Sequence, residues 1–178
     1  MNSYCKFTNE MIQRFNMLDS ITVNEYLYSK RDAMSKVPSK SGVYFIVLNN
    51  PDDEDIFINP GTGGYYKGED PNVGIEVLRD NWVKGADILY IGKAGGIRKN
   101  GVPYQTELKT RIRTLLKFGN NIDAAHRGGK YLWQHRNSKN FRIYWYVCKE
   151  HENAVVLERE LLDEFENVYG KLPFANLG

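Results

Sequence analysis

Runs of apolar residues mark three strands along the chain. Val43 to Leu48 (VYFIVL) is apolar at successive positions, as a strand covered on both faces should be. A breaker, Val37-Pro38-Ser39-Lys40-Ser41-Gly42, introduces it, and Asn49-Asn50-Pro51 ends it. A second strand, Asp87 to Ile91, stops at Gly92, and Phe141 to Val147 alternates and is aromatic, which predicts a third. Helical periodicity covers about 106–118 and about 153–169, the latter stopped by Gly170 with Pro173 beyond. Weaker patterns predict one or two short helices within 8–36, a modest helix at 73–83 and a helical turn at 130–135. The order is ββαβα behind an N-terminal helical extension, residues 1–37. Between the first two strands, about 52–85, the chain is acidic and rich in glycine and turn residues, an insertion expected to loop outward.

Two of the helices carry a charge in an unusual place. At roughly 100° per residue, Val155, Leu161, Leu162, Phe165, Val168 and Tyr169 form one stripe of the last helix. Glu158 falls in the middle of it, while Glu160, Asp163, Glu164 and Glu166 fall on the polar side. An unpaired carboxylate in an apolar face costs several kcal/mol. Glu158 is therefore expected to be protonated, paired with a cation or bound to a metal; a structural ion pair or an edge position reaching solvent satisfies the same pattern. In the 106–118 helix, Leu108, Ile112, Leu115 and Leu116 form the apolar stripe and Arg111 flanks it. Its guanidinium either works in a partly desolvated site or snorkels beside the core.

Charge is divided unevenly. Residues 93–149 hold thirteen Lys and Arg against Glu107 and Asp123, while 50–92 and 150–178 are acidic, so a formal net charge of +2 conceals a basic middle. Tyr104, Phe118, Tyr131, Trp133, Tyr144, Trp145 and Tyr146 are interleaved with these cations, a composition that suits phosphates and bases as well as solvated helix faces.

Length and composition narrow the classes. A chain of 178 residues, 42% hydrophobic and 26% charged, is the size of one ordinary soluble domain. It is long enough to fold without disulfides or a structural metal. No run approaches the roughly 18 apolar residues of a membrane span, and the first residues lack the apolar core of a signal peptide, so a cytoplasmic protein without a membrane partner is expected. Cys5 and Cys148 form no CxxC pair, and His126, His135 and His151 have no zinc-site spacing, which speaks against zinc and thiol redox chemistry.

Taken in order, Gly42-Val43-Tyr44 lies on the first strand and Tyr90-Ile91-Gly92-Lys93 ends the second. Arg111 is on the next helix, Glu158 on the last and Asn176 after it. This series resembles the GIY-YIG nuclease superfamily, over roughly residues 38–178, and the fragments YIGKAGG, LKTRIRTLLKFG, HRGGKYLWQ and LPFAN are similar to a bacterial branch of it. The spacing departs from the family pattern in the 46 positions between Tyr44 and Tyr90 and in the long intervals from Tyr90 to Arg111 and from Glu158 to Asn176.

The resemblance implies an α/β (α+β) GIY-YIG fold, with a small, mostly antiparallel three-stranded sheet flanked by helices. It implies a nuclease domain over 38–178 that hydrolyses DNA phosphodiester bonds with one Mg²⁺ or Mn²⁺. Glu158 would ligate the metal, and Arg111 would hold the scissile phosphate. Tyr44, with Tyr90, would orient the attacking water, and Tyr44 would serve as general base with Lys93 lowering its pKa. His126 lies in the loop before HRGGKYLWQ as a further candidate, the alternative being an exposed loop histidine. Lys109, Arg113 and Lys130 are candidate substrate contacts. Asn176 is another, although it is better suited to fixing the C-terminal tail. A nucleic-acid-binding module without turnover is the competing class. A third class is a subunit whose partner supplies target recognition, since one small domain leaves little room for it; a homodimer and a separate specificity subunit are both open, and DNA is preferred over RNA only through the resemblance.

Overall fold

The computed structural model describes residues 4–49, 51, 56–124, 126 and 128–178. It is mixed α and β, built on one antiparallel sheet. In chain order the elements are α1 (Lys6–Arg14), β1 (Ser20–Thr22), α2 (Val23–Tyr28), α3 (Lys30–Ser35), β2 (Gly42–Val47), α4 (Ile75–Asn81), β3 (Ile88–Ala94), α5 (Leu108–Gly119), two short 3₁₀ helices (Lys130–Gln134 and Ser138–Asn140), β4 (Arg142–Val147) and α6 (Ala154–Tyr169).

The sheet has four strands in the order β1-β4-β2-β3, not the three expected. The extra strand comes from the N-terminal segment, where Ser20, Ile21 and Thr22 pair with Tyr144, Ile143 and Arg142. Thr22 then starts α2 with a capping box, its side chain accepting from the Glu25 N–H while Glu25 reaches back to the Thr22 N–H. The N-terminal segment is thus not purely helical, and it completes one side of the sheet.

β2 is buried throughout because it lies between β4 and β3. Alternation sends its side chains to two separate cores. Tyr44 and Ile46 join Leu108, Ile112 and Leu115 of α5, whereas Val43, Phe45 and Val47 join Leu157, Leu161 and Phe165 of α6 and Phe7 and Met11 of α1. Ile46 pairs with Tyr90 and Val47 with Ile88, so Leu89 is an extra residue, and both Leu89 and Tyr90 pack on the α5 side.

The segment between β2 and β3 folds back on the core rather than looping outward. Phe57 bridges to His135, the Thr62 N–H donates to Trp133 O (2.9 Å), and the Gly64 N–H to Phe118 O (2.7 Å). Ile56, Phe57 and Leu78 are buried in the α5-side core. Residues 52–55 of this acidic segment, and Arg127 of the basic middle, lie outside the described residues.

Candidate active site

The outer edge of β3 carries a cleft of about 230 Å³ lined by Tyr90, Lys93, Arg111 and Glu158, with Gly95, Tyr104 and Thr106 from the following loop. Its walls come from opposite faces of the sheet. Arg111 arrives on α5 and Glu158 on α6, and they converge because β3 is the last strand in the order.

Glycines set the backbone spacing behind this cleft. A Cβ on Gly92 would meet the Tyr44 ring at 2.5–2.8 Å, and one on Gly128 would meet the Tyr90 hydroxyl at 2.7 Å. Tyr44 therefore lies flat over its cross-strand partner Gly92, with its ring centroid 6.0 Å from that of Tyr90. Gly95 and Gly96 both have positive φ, which turns the chain sharply out of β3. Asn153 then ties that loop to α6. Its side chain accepts from the Ile97 N–H (2.9 Å) and the Val155 N–H (3.1 Å) and donates to Ile97 O (3.0 Å), so one residue caps the helix bearing Glu158 and holds the cleft's rim.

Glu158 resolves the charge anomaly of α6. The buried face is Ala154, Leu157, Leu161 and Phe165, while Val155, Leu162 and Tyr169 are only half-buried, so Glu158 stands at the border of the apolar face and not at its centre. Its Oε2 accepts from Lys93 Nζ at 2.8 Å, with the two side chains 18% and 27% exposed. The Lys93 ammonium also lies 5.6 Å from the Tyr104 ring centroid, and Arg98 covers the same ring at 4.3 Å.

Behind the cleft, Tyr44 is fully buried, and among the described residues its hydroxyl meets no partner in hydrogen-bonding geometry, although Tyr90 lies close enough to act on it. Burial raises its pKa well above the ordinary tyrosine value, and Tyr90 raises it further against the pull of Arg111. Lys93 takes no part in this, since its ammonium is engaged by Glu158. The expectation of a Tyr44 made acidic by Lys93 is corrected accordingly: Tyr44 is a neutral phenol at neutral pH. Tyr90 is raised too, by burial first, with Arg111 opposing.

His126 is no exposed loop residue. It is buried beside Tyr90, ring centroids 6.5 Å apart, and neither ring nitrogen finds a partner of hydrogen-bonding geometry among the described residues. Desolvation, reinforced by Arg111, lowers its pKa to about 3, so the imidazole is neutral.

Asn176 is spent on the backbone. The Ile91 N–H donates to its Oδ1 (2.9 Å) and its Nδ2 donates to Ile91 O (2.8 Å), while the Ala175 N–H donates to Leu89 O (2.9 Å). The tail is thereby tied to the β3 edge, with both ends of the Asn176 amide engaged by the Ile91 backbone. Lys109 and Arg113 project from another side of α5 into a separate groove. Lys130 opens a 3₁₀ helix, its ammonium 5.7 Å from the Tyr131 ring centroid, and does not line the cleft. Sequence reasoning assigned no site role to Tyr104, Thr106 or Asn153; an aromatic among cations was the only signal, and it pointed at Tyr104 alone.

One acid lines the cleft, and among the described residues no group of three or more His, Cys, Asp or Glu is placed to hold a metal. Among them also, no helix is long and apolar enough to cross a membrane. No family model matches the chain, and neither a curated protein nor a solved structure matches it.

Proposed function

We propose that the chain is a divalent-metal-dependent endonuclease of the GIY-YIG type that hydrolyses DNA phosphodiester bonds at the β3-edge cleft. The observation that carries this reading is the convergence of Arg111 and Glu158, from opposite faces of the sheet, beside Tyr90 and Lys93. A guanidinium and a lysine-paired carboxylate in one cleft give a site that can hold both a phosphate and a hard cation.

Glu158 would hold the metal. A single carboxylate fits Mg²⁺, which keeps several waters and needs few protein ligands, and Mn²⁺ suits the same oxygen donors. When bound, the ion would supply charge neutralisation at the phosphate. Lys93 holds Glu158 in position and satisfies its charge. Arg111 would bind the phosphate and oppose the negative charge that grows on it. Tyr90 faces the cleft, and the buried hydroxyl of Tyr44 stands behind it. As neutral phenols they would orient an attacking water by hydrogen bonding, its proton passing to solvent water in the open cleft and not to either tyrosine.

The absence of a pre-ionised tyrosine favours a second reading, a nucleic-acid-binding module that keeps the fold without turnover. Incubating the purified protein with supercoiled, branched and flapped DNA in Mg²⁺, Mn²⁺ or EDTA separates the two. Metal-dependent nicking supports the nuclease, and binding without cleavage of any of them supports the module.

A further inference from the structure

Lys30 and Arg31 on α3 face Lys109, Arg113 and Lys117 on α5 across a groove of about 390 Å³ that no acidic side chain lines. The α5 cations recur every fourth residue, so they form one row roughly 12 Å long on the helix. Arg111 lies on a different side of the same helix, in the cleft. Thr110 and Thr114 are the small side chains between the two.

The groove is preformed. Tyr26 and Met34 are buried at its base, and the Lys30 ammonium sits 5.9 Å from the Tyr26 ring centroid. Arg113 acts on the Tyr26 hydroxyl from the α5 wall. The Leu108 N–H donates to Lys40 O (2.9 Å) and the Lys109 N–H to Pro38 O (3.1 Å), which fixes α5 to the segment that leaves α3.

Its charge is uncompensated. None of the five cations makes an ion pair among the described residues. The α3 acid Asp32 instead bonds Ser29 and lies in a different hollow, with Glu25 and Lys36. Like charges gathered on two facing walls repel one another, and a row this long exceeds a single phosphate, so the fitting occupant is a polyanion with repeated charges.

We propose that this groove is a second phosphate-backbone site, in which the DNA cut at the Glu158–Arg111 cleft continues over the exposed side of α5 and lies between α3 and α5. The inference rests on the nuclease reading for the identity of the polyanion. It makes the N-terminal helices part of the nucleic-acid surface, with contacts to backbone and none that read bases.

The test is fluorescence anisotropy of a labelled DNA duplex titrated with the full chain in EDTA over a salt series. The wild type is compared with Lys30→Glu/Arg31→Glu and with Lys6→Glu/Lys84→Glu, an equal charge change at exposed sites away from the groove. The groove pair is expected to weaken binding about tenfold or more and to lower the salt slope by about two, with the control pair within about threefold of wild type. Thermal melts check folding, and Lys30→Ala/Arg31→Ala replaces a charge reversal that melts early. DNA binding that the groove pair weakens no more than the control overturns the proposal. So does groove-dependent binding of polyglutamate in place of DNA, which would indicate an acidic protein partner. The nuclease reading is scored separately by plasmid nicking at saturating protein with Mg²⁺, where the wild type and the Lys6→Glu/Lys84→Glu control should cut and Glu158→Gln should not. A wild type that neither binds nor nicks DNA overturns both.

Discussion

Lys93 Nζ lies 2.8 Å from Glu158 Oε2, joining the edge strand β3 to α6 inside the cleft that also holds Arg111. Both side chains are largely withdrawn from water, so each depends on the other for its charge to be tolerated. Lys93→Met should destabilise the chain by about 1–2 kcal/mol, less than a fully buried pair because water still reaches both groups. Replacing the pair with Lys93→Met/Glu158→Leu should recover that loss while abolishing cleavage. Denaturant unfolding and plasmid nicking on the same samples check the split between stability and activity.

Among the described residues the buried Tyr44 hydroxyl meets no partner in hydrogen-bonding geometry, an arrangement that stability alone does not favour. Tyr44→Phe should therefore leave stability unchanged or raise it by up to about 1 kcal/mol, yet slow nicking by roughly 10-fold or more. A variant that nicks at the wild-type rate would show the hydroxyl to be a packing accident. Gly92→Ala should harm both properties, costing about 1–3 kcal/mol, because its methyl would enter the Tyr44 ring.

Two buried imidazoles give the fold an acid limit. His126 and His135 have pKa values lowered to about 3 and about 4 by desolvation, against 6.5 when exposed. The unfolded chain binds these protons first, so their contribution to stability is complete above about pH 6.5 and is lost as the pH falls towards 4 and 3. Urea midpoints measured from pH 7 down to pH 4 should fall steadily. His135→Phe, in the aromatic surroundings of Phe57, Trp82 and Phe141, should shallow that slope. An unchanged slope would place the acid sensitivity elsewhere.

Asn176 should behave as a positioning residue. Asn176→Ala removes both hydrogen bonds to Ile91 and should cost about 1–3 kcal/mol. Hydrogen exchange at Ile91 should accelerate in the variant, while DNA affinity measured in EDTA stays near that of the wild type. A large loss of affinity with Ile91 still protected would return Asn176 to the substrate surface.

Much of the fold was legible because burial leaves a periodic trace. β2, β4, α5 and α6 follow from their apolar patterns within a residue or two. β1 escaped because three residues, Ser20 to Thr22, are too few for a period, and the strand exists only through its pairing with β4. The inward packing of Phe57 and Leu78 is likewise tertiary and carries no local signal. Glu158 stood out on the helical stripe, although half-buried Val155, Leu162 and Tyr169 drew that stripe's apparent centre towards it and away from Ala154 and Leu157. The sequence offers Lys93, just past the second strand, as the cation needed beside Tyr44. Alternation places them on opposite faces, and Lys93 meets α6 instead. The protonation of Tyr44 and His126 was beyond reach of the sequence, since burial decides both, reinforced by Tyr90 at Tyr44 and by Arg111 at His126.

The most direct measurement is single-turnover cleavage of whichever DNA substrate the wild type cuts, comparing wild type, Glu158→Gln and Arg111→Ala in Mg²⁺, with binding measured in parallel in EDTA. A nuclease centred on these residues requires both variants to lose about 100-fold or more in rate. Glu158→Gln should still bind DNA at least as tightly, since it removes a negative charge. Cleavage by Glu158→Gln at the wild-type rate would contradict the assignment of the active site to the β3 edge.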